Sequence, residues 1–436
     1  MSERSFSSIV LGAHPREGRS RRLYRVGEVS EVCGDMATVR VDVDDGGQPV
    51  SLGGLQVLGP WQVQPGDWVE LGYLDDNPNS AYVRSPLFSE SRDPALGFKA
   101  RVTVGDWDAV VDVNGGADYT SIQEALAAGH KAIYVRKGVY SLGSSGLLIS
   151  NANTVLAGES RTETVLDLGG TTGYVHIAAD RCMLRDVKLT GGQNATYGAL
   201  RIAGGFAAVL HCFFDSNYRH FYGEPGWVSG RTLFMGNVTQ NSAGSVGQHE
   251  GHASMFVGNC VAEPGERALN LYAYSMCVTG NYFYYTRLGL NQPGASVSGN
   301  VFHIGRLVVN AGAYSASING NQFLLPLAAG IEMAAEVCCV TGNAIYDPVG
   351  RGIYVTGSRN SVVGNTIYSA GASAIAASGN RNIVQGNQAH DSANYGVHVM
   401  AGATKNIVAN NVAVGNVSGQ ILDEGTGTVL DNNVTS

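Results

Sequence analysis

Residues 352–387 read GIYVTGSRNSVVGNTIYSAGASAIAASGNRNIVQGN. The runs Gly352-Ile353-Tyr354-Val355, Ser361-Val362-Val363 and Thr366-Ile367-Tyr368 are short and rich in β-branched residues, and a Gly-Asn word closes at Asn365 and again at Asn387. The same Val/Ile-x-Gly-Asn-type word recurs at Asn237, Asn259, Asn281, Asn300, Asn321, Asn343, Asn365, Asn387, Asn410 and Asn432, at intervals of 22, 22, 19, 21, 22, 22, 22, 23 and 22 residues. So regular a period predicts a solenoid whose coils each hold three strands and three bends. A leucine-rich repeat has a similar period but needs a Leu-x-x-Leu-x-Leu frame, which is absent.

The Gly-Asn word has a physical reading. A sharp bend demands the left-handed backbone region, which Gly enters without penalty and Asn tolerates. Stacked coils would set one Asn amide above the next, where donors and acceptors pair along the axis. Alternation within each run points Val, Ile and Leu inward to form a continuous core. Weaker equivalents of the word at Cys212 and Asp186 place the first coils well before Asn237.

Composition agrees. Among 436 residues, 59 are Gly and only 15% are charged, as many short strands and turns require. The net charge of −8 gives no reason to expect nucleic-acid or anionic-membrane binding. No apolar stretch approaches the ~20 residues of a membrane span. The Met1-Ser2-Glu3-Arg4 start lacks a charged-then-apolar signal segment, so the expectation is a product made in the cytoplasm and not conventionally secreted. Cys182, Cys212, Cys260, Cys277, Cys338 and Cys339 lack metal-like spacing and read as small core residues; no metal or cofactor is expected.

Ahead of the clean repeats, Ser121 and Glu124 form a capping box, and Ile122, Ala125 and Leu126 share one helical face. This predicts a short amphipathic helix near 121–128 that plugs the first coil, whose open edge would otherwise invite association. The run Asp118-Tyr119-Thr120-Ser121-Ile122-Gln123-Glu124-Ala125, followed by Ala132-Ile133-Tyr134-Val135-Arg136-Lys137-Gly138-Val139-Tyr140, resembles the opening motif of the pectin-lyase-like superfamily. That resemblance implies a right-handed, single-stranded parallel β-helix over 96–436. It is specific for fold and not for function, because the superfamily includes lyases, esterases, epimerases, glycosidases and phage tailspikes.

Residues 1–95 differ in character. Arg25–Val32, Ala37–Val43 and Trp68–Tyr73 alternate like strands, interrupted by Asp44-Asp45-Gly46-Gly47 and Gln64-Pro65-Gly66-Asp67. The pattern is similar to the OB-fold barrels of phage baseplate hub and spike proteins, with 88–100 as connector. The whole chain is therefore expected to be all-β, an OB-like barrel followed by a β-helix. Barrel and solenoid together imply a phage tail-associated spike in the virion. It would dock on tail or baseplate proteins, form a homotrimer, and bind or degrade a host-surface polysaccharide. A free carbohydrate-active enzyme with an accessory barrel and a purely architectural tail protein are the alternatives.

Two sets of side chains are candidates for the site. Counting back 11 residues from each bend gives Gln248, Asn270, Glu332 and Tyr354; the Gly-Ile-x-Val frame adds His398, and Asn291 and Asn310 lie close to register. Amides and carboxylates bind sugar hydroxyls, and a Tyr ring covers a sugar's apolar face, so this column is expected to contact a glycan. The second set is Gly247-Gln248-His249-Glu250-Gly251-His252 with Asp215, Glu224 and Arg231 nearby. Its His-Glu pair resembles the Asp-Pro-His-Glu motif of mannuronan C5-epimerases, although Gly247 and Gln248 stand where that family has Asp and Pro. The resemblance implies a His249 base, an Arg that neutralises a uronate carboxylate, and a Tyr that returns a proton. Paired carboxylates among Asp215, Glu224 and Glu250 would instead suit a hydrolase, and a binding patch without chemistry is the third reading.

Overall fold

The computed structural model describes residues 25–33, 36–41, 50–56, 68–73, 81–88, 107–225 and 231–435. The chain divides into two compact units, Met1–Gly105 and Asp106–Ser436.

In the first unit, β1 (Arg25–Cys33) pairs antiparallel with β2 (Met36–Val41) and, on its other side, with β4 (Trp68–Tyr73). With β3 (Val50–Gln56) and β5 (Ala81–Phe88) they form a five-stranded sheet in the order β3-β2-β1-β4-β5. The turn words Asp44–Gly47 and Gln64–Asp67 expected between these strands lie outside the described residues, as does the connector at 89–106.

The second unit is a right-handed parallel β-solenoid of about 15 turns from residue 109. One coil shows the plan. Face 1 carries Ser361–Val363; the chain bends at Gly364 (φ 63°) and Asn365; face 2 carries Thr366–Tyr368; a wider corner leads to Ile375–Ala377 on face 3. Face 1 strands stack into one 15-stranded sheet. Faces 2 and 3 form a single 25-stranded network, because Cys260–Leu271 and Tyr282–Leu290 run straight through the corner. A short helix, α1 (Ile122–Ala127), buries Ile122, Ala125 and Leu126, and its first turn is capped by the Ser121 hydroxyl, which accepts from the Glu124 amide.

The alternation places the expected residues inside. Phe283, Phe302 and Phe323 occupy one inner column with ring centroids 4.8 and 4.5 Å apart. Cys182, Cys212 and Cys338 are buried, whereas Cys260 and Cys277 are half-buried and Cys339 is exposed. Burial pushes the Cys212 thiol up to about 12, as an inert core thiol requires.

The bend amides stack as the sequence predicts, with one correction. From Asn237 through Asn387, each Asn in turn sends its backbone N–H and its side-chain amide to the Oδ1 of the next. At the C-terminal end the ladder continues through Asn411 and Asn433, not Asn410 and Asn432. Asn410 (φ 56°) and Asn432 (φ 48°) take the left-handed place that Gly holds in earlier coils. In an Asn-Asn pair the first residue does the work of Gly, so the period was counted one residue early.

Candidate functional site

Face 3 turns two adjacent columns of side chains outward. In the first, the parallel register sets His176, Arg201, Tyr222, Gln248 and Asn270 one above another. It continues through Gly289 and Val308 to Glu332 and Tyr354, then through Ala376 to His398. Gln248, Asn270, Glu332, Tyr354 and His398 therefore share a column, but Gly289, Val308 and the buried Ala376 divide it into polar segments. Gly289 is required there, because a Cβ would lie 2.7 Å from Asn270 Oδ1.

The second column lies two residues further along each strand. Its backbone bonds step from Glu250 N to Gly223 O (3.1 Å), Tyr272 N to His249 O (2.7 Å), Asn291 N to Leu271 O (2.9 Å) and Asn310 N to Leu290 O (3.0 Å). Glu224, Glu250, Tyr272, Asn291 and Asn310 thus follow one another. Asn291 and Asn310 stand in this neighbouring column, where Asn310 Nδ2 donates to Asn291 Oδ1 at 2.8 Å.

The densest chemistry lies where the columns meet. Arg201 pairs with Glu224, donates to the Tyr174 hydroxyl at 3.1 Å, and sits 4.2 Å above the Tyr197 ring. The Tyr197 ring lies 5.3 Å from that of Tyr174 and 5.7 Å from that of Tyr222. Gln248 donates to Glu250, and the Tyr222 hydroxyl approaches the same carboxylate at 3.5 Å. Burial, then the charges of Glu250 and Glu224, raise the Tyr222 phenol above its usual range. Burial, then the Arg201 charge, keep His176 below the usual imidazole range, and its Nε2 has no hydrogen-bond partner. Glu224 and Glu250 stand one coil apart, about 4.8 Å along the axis.

Three of the expected catalytic residues lie elsewhere. His249 points into the coil: it is fully buried, its Nε2 bonds Ser254 Oγ at 2.7 Å, and its ring meets those of Phe234 and Phe256 edge-on. Gln248 and Glu250 face outward, so alternation sends the residue between them inward. Burial drives the His249 imidazole down to about 4. Asp215 lies on face 2, bonded to Lys188 (2.8 Å) and Asn241 (2.9 Å). Burial would raise its carboxyl, but the hydrogen bonds from Lys188, Asn241, Gln240 and Ser216 prevail and hold it at about 2. Arg231 (φ 67°) occupies the bend between face 3 and face 1, with its guanidinium 5.0 Å from the Phe206 ring centroid.

The lower segments of the first column are internally paired. Arg306 bridges Glu332 (3.2 Å) and Glu266 (2.7 Å), Arg351 covers Tyr354 at 4.4 Å, and His398 bonds Glu424 at 2.8 Å. Sequence reasoning missed Tyr174, His176, Tyr197 and Arg201. The coils that hold them precede the first Gly-Asn word, so no count from a bend reaches them. Among the described residues, no three His, Cys, Asp or Glu side chains gather as a metal site would need.

The family model described as "Right handed beta helix region" matches residues 306–436. No curated protein matches the chain. Among solved structures, the chain is similar to the catalytic unit of a GH87 alpha-1,3-glucanase from Streptomyces thermodiastaticus. The identity is 13% and the TM-score 0.54, over 95% of this chain and 88% of that one. A PL6 family polysaccharide lyase from Pseudopedobacter saltans is 10% identical with a TM-score of 0.53, over 70% of this chain and 87% of its own. The A-module of a mannuronan C-5 epimerase from Azotobacter vinelandii is 12% identical with a TM-score of 0.48, over 73% and 94%. Likeness at such low identity concerns the fold.

Proposed function

We propose that this protein binds an extended polysaccharide along face 3 and processes it beside Glu224 and Glu250. The observation that carries the reading is the cluster of Arg201, Tyr222, Glu224, Gln248 and Glu250, all outward and within two adjacent columns. Two carboxylates on neighbouring coils have the spacing order that glycoside hydrolysis uses, in which one acts as acid and the other as nucleophile or base. The inclined rings of Tyr174, Tyr197 and Tyr222 offer apolar surface to a sugar, and Gln248 and Asn270 offer amide donors and acceptors. The like-folded glucanase and polysaccharide lyase support a glycan as the ligand.

The setting we propose is a phage tail-associated spike, trimeric and virion-borne, synthesised in the host cytoplasm. In it the first unit closes as an OB-like barrel that docks on tail or baseplate proteins. The strand order β3-β2-β1-β4-β5 supports closure, since it leaves β3 and β5 as the two edges that a five-stranded barrel joins. A free lyase, epimerase or hydrolase is the second reading, favoured by the Arg201 guanidinium beside the Tyr222 phenol, a pairing suited to a uronate and a proton transfer.

The test incubates the protein with α-1,3-glucan, alginate, polygalacturonate and a panel of capsular polysaccharides. Reducing ends and the absorbance of unsaturated uronates are followed together. Glu224→Gln and Glu250→Gln should each lower turnover at least about 100-fold, the scale of an acid–base contribution. Reducing ends alone identify a hydrolase, and both signals a lyase. A blank glycan array together with neither signal removes the reading.

A further inference from the structure

The bend between face 3 and face 1 holds a left-handed residue in nearly every coil, and its occupants are informative. Backbone bonds run up this column from residue 337 to 358, 359 to 380, 381 to 404 and 405 to 426. Arg359, Arg381 and Lys405, with φ of 61°, 55° and 56°, fill it on three successive coils. In the same column Gly294 (φ 76°) and Gly427 (φ 67°) adopt the left-handed conformation without the cost of about 1 kcal/mol or more that a residue with a Cβ bears. Three long cations are therefore stacked where the backbone itself would favour glycine.

They frame a shallow hollow of about 210 Å³ lined by Ser358, Arg359, Asn380, Arg381, Thr404 and Lys405. Its floor is ordered: Asn380 N donates to Ser358 Oγ at 3.1 Å, and Thr404 N and Oγ1 both donate to Asn380 Oδ1, at 2.8 and 3.0 Å. Arg359 is ion-paired with Glu336. Arg381 and Lys405 are exposed and carry no carboxylate partner among the described residues. In a chain of net charge −8 this is a local excess of positive charge.

We infer that this corner is a binding site for a glycan that bears a carboxylate or sulfate on successive sugars, lying along the solenoid axis. Cations repeated at the coil spacing of about 4.8 Å match a polymer that presents one anion per sugar. Ser358, Asn380 and Thr404 between them supply hydroxyl and amide groups for sugar hydroxyls. A nucleic acid fits less well, because no aromatic ring lines the hollow to stack a base. The site is separate from the cluster at Glu224 and Glu250, although it deepens the polysaccharide reading by specifying an acidic polymer.

The experiment uses the full chain and four probes: polygalacturonate, dextran sulfate, neutral dextran and a single-stranded DNA oligonucleotide. Calorimetry should show binding of the two acidic glycans that weakens with added salt, and none of dextran. The double variant Arg381→Gln, Lys405→Gln, with its melting temperature checked against the parent, should bind them about tenfold more weakly. Hydrogen exchange with polygalacturonate bound should protect peptides that span 356–360, 378–382 and 401–406. Protection confined to 222–272 would overturn this inference and leave the face 3 reading standing. Equal affinity in the double variant, tighter binding of DNA than of either glycan, or binding of no acidic glycan at all would also overturn it.

Discussion

His249 shows how a single side chain is assigned by its neighbours. Its ring is enclosed by Phe234 and Phe256, Nε2 is satisfied by Ser254, and Nδ1 has no partner. Room for it exists because the coil above presents Gly223, where a Cβ would lie 1.9 Å from Nδ1. The imidazole is held neutral, with its value lowered by burial from 6.5 to about 4. Between those values the unfolded chain takes up a proton that the folded chain refuses, so stability rises with pH there. The contribution is fully present above about pH 6.5 and is lost as pH falls toward 4; its ceiling is about 3 kcal/mol. His249→Leu should therefore flatten the denaturant-midpoint profile between pH 6.5 and 4. Ser254 keeps Thr232 N (3.1 Å) and His252 O (3.3 Å) as partners in that variant. An unchanged slope would show that His249 is not the titrating group. The inward position was readable from the sequence: once Gln248 is set outward, period-two alternation sends His249 in. A resemblance of the His-Glu word to a surface motif outweighed that parity.

At the scale of one coil, the amide ladder and the aromatic stack act together. Asn343 Oδ1 accepts from Asn321 N (3.0 Å) and Nδ2 (2.9 Å), and its own Nδ2 donates to Asn365 Oδ1 (2.9 Å) and Ile318 O (3.0 Å). Removing it leaves two buried donors of Asn321 without an acceptor, each costing about 1–3 kcal/mol. Asn343→Ala should accordingly destabilise the solenoid by about 2–5 kcal/mol. Because coils contact only their neighbours, hydrogen exchange should quicken first in the coils around 321–365, well before those around 133–184. Uniform acceleration along the chain would show that the ladder is not the local unit of stability. The ladder was legible because a bend that needs a left-handed residue followed by a bonded amide leaves few choices, and the sequence repeats the choice. It was not legible in the earlier coils. There Cys212 takes the ladder position, its backbone N–H donating to Asn237 Oδ1 at 2.9 Å. Without the Gly-Asn word, the register that sets Arg201 beneath Tyr222 could not be counted. Asp215 shows the other limit: closeness in sequence to Glu224 hides the corner that puts them on different faces.

For the whole molecule, function turns on which outer face is free. Face 2 carries Tyr346, Tyr368 and His390 stacked nearly parallel, with centroids 5.6 and 5.0 Å apart. Rings stacked on one another offer only their edges, so this column gives a sugar no face to cover. Face 3 has inclined rings, two carboxylates and a guanidinium, and is the side that must stay open to solvent if a polymer is to reach it. A spike of three parallel solenoids meets this condition when its chains associate through the other faces. The prediction at this scale is that the full chain in solution has three times the single-chain mass by light scattering. The Glu224→Gln variant should assemble equally well, because Glu224 would then face outward on every chain. A monomer with full activity toward a polysaccharide would favour the free enzyme, because nothing in the chemistry at Glu224 and Glu250 draws on a second chain. A trimer that loses glycan binding only when face 3 is altered would tie assembly and recognition to different sides of the same rod.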